Sequence, residues 1–581
     1  MPARADAAGT ASRAAPRERP ERRISGGLAV AGVVLAAVGV PLALTLATGA
    51  DAVPRNDAWA FARAALTLAR TGELELTGWG PMTLVGHLLY AQPWLALLGP
   101  SLRTLTFAQA AAGAAGLVGV HLLARRLLAP PSALVVTALV AVLPGYALYA
   151  TGFMTDTTAF AAQVACLLWG VTALERPPRT RGVWLVAALT VGVYGFSIRE
   201  FALAAPLAVL LAHGVHAARA AERRRLRGLA ALGALVVAAA VAILWWRAGL
   251  GGRPDVPVGL SPLRVAAFGV AGYFTLAFTL IPALCLADWR EVRDRLRGGR
   301  RVVAGAAVAA VLVAGLAAVL VDLARASPTV LLAGNALTPF GSMEHGVLLG
   351  NRGVLFPPPV WAAVVIAAML AGAALTLWLA AGVAGAASRP LSPPAPAAVA
   401  LAGFALLSVG ALGAYALIGG FPFDRYLWGP ALALAVLLVA RGPGRRTRRR
   451  AAASALVALG VLAFATVVEE LTFDVARWRA GEAAVRHGIP AEQVDAGFEW
   501  VGWHYPGRVL EPGVPPAWLP PAGPYMPAFP RAGSCGVVSA SARAEPWLQQ
   551  LERRPHRAFI VAGDRELWVY RNPRACGARS P

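Results

Sequence analysis

The chain has 581 residues, of which 57% are hydrophobic and only 14% are charged, and its formal net charge is +23. Soluble globular proteins carry about 25% charged residues, so this composition excludes an ordinary soluble protein and predicts a membrane protein with many spans. The arginines lie in short clusters between apolar runs, a pattern typical of cytoplasmic loops, so we do not interpret the positive charge as a nucleic-acid-binding face.

Apolar runs long enough to cross a bilayer occupy most of the chain. Residues 1–23 are polar and are predicted to be disordered and cytoplasmic. Within residues 24–470, runs of about 20 residues predict about thirteen transmembrane helices, and the first is too long for a signal peptide. The predicted spans lie at 27–49, 104–124, 131–150, 156–174, 183–198, 201–217, 228–246, 262–286, 302–322, 359–384, 396–419, 427–441 and 451–469.

Arginine clusters set the predicted orientation. Arg22 and Arg23 precede the first span, and further clusters follow the second, fourth, sixth, eighth and twelfth spans. If the spans alternate in direction, all these clusters lie on one side, which the positive-inside rule assigns to the cytoplasm. The composition, rich in Ala, Gly and Arg and without lysine, is typical of a high-GC bacterial genome. We therefore expect a multi-pass protein of a bacterial plasma membrane, with its N-terminus inside and residues 471–581 outside.

Two long loops, 50–103 and 323–358, are then predicted on the outer side. The first begins with a short helix, for which Asn56 is the expected N-cap and Gly72 the expected end. Apolar residues follow Asn56 at helical spacing, beginning with Trp59.

The C-terminal region, residues 471–581, is predicted to be a small extracytoplasmic α+β domain. It starts with a helical segment and ends with two segments, 557–561 and 566–570, that we predict to pair as strands. Cys535 and Cys576 lie in this region, where an oxidising environment allows a disulfide. Whether the two cysteines are bonded or free stays open from the sequence alone.

Ionisable residues gather at the predicted outer ends of the spans. Asp57 lies in the first outer loop, Asp156 in the turn before the fourth span, and Arg199 after the fifth span. Arg425 and Tyr426 come just before the twelfth span. Because charges at membrane depth are costly, such residues are functional candidates. We therefore single out Asp57, Asp156, Arg199, Arg425 and Tyr426 as candidate site residues, and Asp57 as a candidate catalytic base.

Each of these residues also has a structural interpretation. Asp57 and Asp156 could simply start helices, where an acidic residue stabilises the first turn. Arg199 could extend to lipid headgroups, and Arg425 with Tyr426 could anchor the helix at the membrane surface.

A further pair, Glu344 and His345, lies in the second long outer loop. We regard both as substrate-binding or loop residues. Neighbours in sequence seldom face one metal site, so this pair is a poor candidate for metal binding.

The order of these motifs resembles the GT-C integral membrane glycosyltransferases, of the protein O-mannosyltransferase and aminoarabinose-transferase type (glycosyltransferase family 39). The resemblance covers residues 27–470 and differs in two places. The usual acidic pair of the first loop is here Asn56-Asp57, and the usual Pro-Pro-Leu-Tyr stretch is reduced to Tyr90-Ala91-Gln92-Pro93. The motifs are, in order, Asn56-Asp57-Ala58-Trp59, Gly72, Gln92-Pro93-Trp94, Asp156, Arg199 and Asp424-Arg425-Tyr426.

This resemblance implies an all-α polytopic membrane bundle and a transferase reaction. A hexose or pentose carried on a polyprenyl phosphate moves to an acceptor (a protein, a lipid or a polysaccharide) at the outer membrane face. Asp57 resembles the family's base, and Asp156 resembles its second acidic residue, which supports the site or a metal. With that reaction in view, Asp57 and Asp156 are the expected catalytic residues, and Arg199, Arg425 and Tyr426 are the expected binding groups for the donor phosphate. No cofactor follows with certainty, and a divalent metal ion stays an open alternative. The expected partners are the lipid-linked sugar, the acceptor and the bilayer.

Another class of function is a transporter or flippase of lipid-linked glycans. Transporters place ionisable groups and broken helices near the bilayer midplane, whereas the predicted spans here have few charges in their middles. A third interpretation is a non-catalytic envelope protein that acts through its outer domain.

Overall fold

The structure is a computed structural model. It describes residues 20–77, 79–80, 82–250, 262–297, 299–325, 331–342, 348, 354–386, 395–418, 420, 423–440, 446–504, 535–540, 546–559 and 563–576.

Helices make up most of the described chain, as the apolar composition predicts. Their bounds are α1 Pro20–Val34, α2 Val40–Thr48, α3 Ala58–Thr71, α4 Val85–Leu98, α5 Leu102–Ala124, α6 Pro130–Ala141, α7 Tyr146–Tyr149, α8 Thr155–Glu175, α9 Pro178–Ile198, α10 Ala204–Arg219, α11 Arg223–Gly249, α12 Pro262–Thr279, α13 Ile281–Leu286, α14 Trp289–Arg295, α15 Gly299–Arg325, α16 Pro358–Ala386, α17 Pro396–Leu417, α18 Trp428–Ala440, α19 Arg446–Arg486 and α20 Phe498–His504.

Within the part of the chain that the structure describes, 10 helices are long and apolar enough to cross a membrane. They coincide with ten of the predicted spans and confirm a multi-pass helical membrane protein. The first of them, Gly26–Thr48, joins α1 to α2 through a π-helical turn.

The other three predicted spans contain shorter helices. The predicted span 131–150 is interrupted by Pro144, which cannot continue a helix, and by Gly145, whose φ is 77°. The predicted span 262–286 is divided where α13 begins at Ile281, with Pro282 in its first turn. The span predicted at 427–441 corresponds to α18, which has 13 residues.

Contacts between distant segments agree with the predicted grouping of loops. Arg126 pairs with Glu175 where α5 and α8 end, and Arg448 Nη1 lies 3.8 Å from Asp288 Oδ1. These residues all belong to loops predicted inside.

The first outer loop forms the helix predicted for it, α3. It ends where expected, because Gly72 has a φ of 74° and its N–H donates to the carbonyl of Leu68. The start is one residue later than predicted, since Asp57, and not Asn56, is the residue that precedes the first helical position.

The last membrane helix, α19, is longer than predicted. It runs without a break for 41 residues, or about 60 Å at 1.5 Å per residue, which is about twice the hydrocarbon thickness. The expected boundary at 470–471, between the bundle and the outer domain, therefore falls inside one continuous helix.

The C-terminal region contains a small sheet, which confirms the predicted α+β character. Its order is β1-β2-β4-β3, with β1 parallel to β2 and the other pairs antiparallel. The predicted strand pair corresponds to β3 and β4, although β3 begins well before residue 557. The bounds are β1 Val494–Asp495, β2 Gly536–Ser539, β3 Gln549–Ala558 and β4 Gly563–Arg571.

The sheet packs on the outer part of α19. Leu567 and Val538 contribute to a core with Ala480 and Ala484 of that helix. In the same region, the sulfur atoms of Cys535 and Cys576 are bonded to each other.

A buried ion network joins this region to the first outer loop. Arg477 of α19 donates from Nη1 to Glu499 Oε2 at 2.6 Å and from Nη2 to Asp474 Oδ1 at 3.0 Å. The backbone N–H of Asn56 donates to the other oxygen of Glu499 at 3.2 Å. The side chains of Arg477, Asp474 and Glu499 are at most 1% exposed, so each charge depends on its partners.

Replacing Arg477 with Leu is expected to destabilise the protein, because two buried carboxylates would lose their counter-charge. Removing one partner of a buried ion pair costs about 3–5 kcal/mol. The measurement is the apparent melting temperature of the purified protein in detergent. Arg486→Leu, an exposed arginine on the same helix, is the matched control. Equal melting temperatures for Arg477→Leu and Arg486→Leu would show that the ion network does not stabilise the protein.

Candidate active site

The carboxylate of Asp57 faces other outer residues and does not cap its own helix. No hydrogen bond joins its side chain to the first turn of α3. Instead Oδ1 accepts a hydrogen bond from Trp79 Nε1 at 2.7 Å. The helix-cap interpretation of Asp57 therefore does not describe its side chain.

Asn56 shapes the backbone just before Asp57. Its φ is 53°, a left-handed conformation that Asn adopts more readily than most residues. Its Oδ1 accepts a hydrogen bond from the N–H of Asp57 at 2.8 Å. The preceding residue, Arg55, donates to the carbonyl of Thr151, in the turn that leads to Asp156. The two residues that precede Asp57 are thus held in place.

Asp156 lies between two arginines in the first turn of α8. Its Oδ2 accepts from Arg199 Nη2 at 3.2 Å, and its Oδ1 lies 3.4 Å from Arg425 Nε. The side chain is 1% exposed, so a charged carboxylate there requires such cations.

Arg425 connects the two acidic residues. Its Nη2 lies 3.6 Å from Asp57 Oδ2, whereas its Nε is the atom that lies near Asp156. Its Nη1 donates to Asn335 Oδ1 at 2.7 Å and lies 3.4 Å from the hydroxyl of Tyr149. The structure therefore brings together Asp57, Asp156 and Arg425, which are far apart in sequence.

Arg199 joins the same cluster from the end of α9. Its Nε donates to Thr155 Oγ1 at 2.6 Å, and its Nη1 donates to the hydroxyl of Tyr426 at 3.3 Å. The Tyr426 ring lies 5.3 Å from the guanidinium carbon, within cation–π range. Burial by itself lowers the pKa of Arg199, but attraction from Asp156, together with smaller contributions from Tyr426 and Glu200, more than offsets this and raises the pKa above the ordinary value.

The carboxylate of Asp424 binds backbone N–H groups, whereas the guanidinium of its neighbour Arg425 contacts side chains. Its Oδ2 accepts from the backbone N–H groups of Ala336 and Leu337 at 2.9 and 2.8 Å. Burial raises the pKa of Asp424 to about 7, although these N–H groups act in the opposite direction. Asp424 therefore fixes the segment that presents Asn335 to Arg425.

The four charged groups of this cluster balance one another but differ in exposure. Two carboxylates face two guanidiniums, so the cluster is formally neutral. The side chain of Asp57 is 18% exposed, whereas those of Asp156, Arg425 and Arg199 are 1%, 3% and 6% exposed. Asp57 is thus the acidic group that a substrate can reach most easily.

Some contributors to the cluster were not predicted from the sequence. Trp79 contacts Asp57, and Asn335 and Tyr149 contact Arg425. These contacts could not be predicted, because single polar or aromatic residues in loops show no regular spacing in the sequence. Glu344 and His345 lie outside the residues that the structure describes.

The arrangement of the described residues is a poor fit to a divalent metal. Among them, no group of three or more His, Cys, Asp or Glu side chains could hold a metal ion. Asp57 and Asp156 are the acidic pair of the cluster, and the guanidinium of Arg425 lies between them.

Two solved structures are similar to the chain at low sequence identity. The structure of ArnT from Cupriavidus metallidurans in the apo state is 14% identical, with a TM-score of 0.40, and the match covers 95% of this chain and 98% of that one. The archaeal oligosaccharyltransferase AglB from Archaeoglobus fulgidus, in complex with an inhibitory peptide and a dolichol-phosphate, is 15% identical, with a TM-score of 0.43. That match covers 80% of this chain and 58% of AglB. No curated protein sequence matches the chain significantly.

A family model described as dolichyl-phosphate-mannose-protein mannosyltransferase matches residues 87–246. This part of the chain contains Asp156 and Arg199, whereas Asp57 and Arg425 lie outside it. Over residues 87–246 the chain is therefore similar to this mannosyltransferase family, which confirms the resemblance to the GT-C membrane glycosyltransferases that its motifs predict.

Proposed function

We propose that the chain is a membrane glycosyltransferase that moves a sugar from a polyprenyl-phosphate donor to an acceptor at the outer face of the membrane. The observation that carries this proposal is the position of Arg425, whose guanidinium contacts both Asp57 and Asp156. One accessible carboxylate beside two buried guanidiniums is the set of groups that this reaction needs.

Asp57 is the proposed general base. A carboxylate can accept the proton of an acceptor hydroxyl or amine while that atom attacks the sugar. Trp79 holds one carboxylate oxygen, which leaves the other, 3.6 Å from Arg425, directed toward the cluster. This distance exceeds that of a hydrogen bond, so Asp57 can exchange its arginine contact for a substrate.

Arg425 and Arg199 are the proposed binding groups for the donor phosphate. Guanidiniums donate two parallel hydrogen bonds to phosphate oxygens and offset the charge that develops on a phosphate leaving group. Arg199 is already held by Thr155 and Asp156, and Arg425 by Asn335 and Asp156. Both cations are thus oriented before a donor arrives. Tyr426 helps to orient Arg199, because its hydroxyl accepts a hydrogen bond from that guanidinium.

Arg425 could also supply the positive charge that a metal ion provides in other enzymes. Its guanidinium lies between the two carboxylates that would otherwise be the natural ligands of a divalent cation. We therefore propose that the two arginines, rather than a metal ion, offset the charge of the leaving phosphate.

Apolar residues near the cluster offer a path for the prenyl chain. A cavity of about 20 Å³ is lined by Leu143 and Leu148, by Leu337, and by Leu459 and Leu462 of α19. This volume is smaller than a prenyl unit, so the helices have to separate there if the lipid chain follows this path.

The proposed side of the membrane can be tested by thiol labelling. A cysteine introduced at exposed Glu73 is expected to react with an impermeant maleimide in intact cells. A cysteine at exposed Arg179 is expected to react only after permeabilisation, because Arg179 lies in a loop predicted inside. The unsubstituted protein gives the background labelling. The opposite pattern would contradict chemistry at the outer face.

Asp57→Asn is expected to lower transfer about 100-fold or more, since the amide cannot accept the acceptor's proton. The assay follows transfer from a panel of polyprenyl-phosphate hexoses and pentoses by reconstituted protein, with binding of undecaprenyl phosphate measured separately. Binding should be retained. Asp51→Asn, which changes another buried first-loop carboxylate paired with Arg103, is the matched control. Wild-type transfer by Asp57→Asn would rule out the base.

Arg425→Lys is expected to weaken the binding of undecaprenyl phosphate about ten-fold, or about 1.4 kcal/mol. Lysine retains the charge between Asp57 and Asp156 but cannot donate two parallel hydrogen bonds. Arg103→Lys, an exposed outer arginine, is the control. Unchanged affinity in the Arg425 variant would remove the phosphate-binding role from this residue.

A further inference from the structure

We infer that helix α20, in the C-terminal region, positions the proposed base Asp57, and that Glu499 is its principal positioning residue. This inference rests on the proposed function. According to this inference, the C-terminal region fixes the position of the group that takes the acceptor's proton. Three independent contacts, all made by α20 to the first outer loop, carry the argument.

The first contact fixes the backbone that leads into Asp57. Glu499 Oε1 accepts a hydrogen bond from the N–H of Asn56 at 3.2 Å, across 443 positions of sequence. Asn56 has the left-handed φ of 53°, a conformation that costs free energy unless its surroundings stabilise it. The hydrogen bond from Glu499 supplies such stabilisation next to the base.

Glu499 itself is held in one orientation. Its Oε2 accepts from Arg477 Nη1 at 2.6 Å, and the same nitrogen donates to the carbonyl of Ala496 at 2.9 Å. The Glu499 side chain is 0% exposed, so water does not compete for these bonds. Glu499 is therefore a rigid acceptor.

The second contact reaches the carboxylate of Asp57 through Trp79. The ring of Phe498 lies 5.9 Å from the ring of Trp79, centroid to centroid. Trp79 Nε1 donates the 2.7 Å hydrogen bond to Asp57 Oδ1. Phe498 thus limits the positions of the indole that orients the carboxylate.

The third contact holds α3 directly against α20. Arg63 Nη1 donates to the carbonyl of Gly502 at 2.6 Å. The ring of Trp59 packs so closely on Gly502 that a Cβ there would lie 2.5 Å from it. Glycine at 502 is therefore needed for the approach of the two helices.

Together these contacts hold both the main chain and the side chain of Asp57 from the C-terminal region. A displacement of about 1 Å in a reacting group can cost up to about 100-fold in rate. The binding of the donor phosphate depends instead on Arg199 and Arg425. Loss of the α20 contacts should therefore lower kcat and leave the affinity for the donor unchanged.

The test compares two substitutions of Glu499 in the full-length protein reconstituted in vesicles. Glu499→Leu removes the acceptor and is expected to lower kcat about ten-fold or more. Glu499→Gln retains a carbonyl oxygen for the N–H of Asn56 but loses the acceptor for Arg477, so it is expected to lower kcat less than Glu499→Leu does. For both variants, the dissociation constant of undecaprenyl phosphate is expected to match that of the unsubstituted protein.

Leu567→Ala is the control for general destabilisation, because Leu567 is a fully buried core residue of the sheet and lies outside α20. Activities are normalised to the folded fraction. Equal loss of kcat in Leu567→Ala and Glu499→Leu, or wild-type kcat in Glu499→Leu, would overturn the positioning role. If Asp57→Asn also retains transfer, the proposed function fails; if Asp57→Asn is inactive, only this inference does.

Discussion

The charge balance around Arg425 is the constraint on which the rest of the site depends. Its guanidinium is 3% exposed and contacts carboxylates from two different parts of the chain. In a buried setting, an arginine without partners, or a carboxylate without a cation, costs several kcal/mol. The loop of Asp57, the first turn of α8 and the turn before α18 therefore have to meet, and this requirement fixes the arrangement of the bundle at this end.

The need to balance buried charge also explains why several segments of the chain meet at this cluster. Asp424 binds the backbone at 336 and 337, which places Asn335 beside Arg425. Arg55 binds Thr151, which connects the first loop to the turn before Asp156. These contacts favour surface chemistry over the transporter alternative, because the ionised groups of the cluster lie where helices begin and end. The alternative of an envelope protein that acts through its C-terminal region cannot be tested by removing that region, since α20 also contacts the loop of Asp57.

Much of the fold follows from the sequence, because apolar length and arginine clusters report directly on membrane crossing. Asp57, Asp156, Arg199 and Arg425 were predicted as candidates for the same reason: each is a charge beside an apolar run. Their partners were not predictable, since Trp79, Asn335 and Glu499 reach the site only through contacts between distant segments. The continuity of α19 across residue 470 was not predictable, because the apolar run gives way there to the acidic residues Glu469, Glu470 and Asp474. In the fold these acids are at most 2% exposed, on one continuous helix.

The unbroken course of α19 limits how the outer sheet can move. Sharp bends in helices arise at proline, at glycine–serine pairs or where the hydrogen-bond ladder is interrupted. Between residues 446 and 486 the sequence has no proline, and its two glycines stand apart at 460 and 481. The helix therefore has no proline or glycine–serine pair that would favour a hinge between its apolar part and the sheet. A rigid-body displacement of the sheet would accordingly move the whole helix, including the arginines at its N-terminal end.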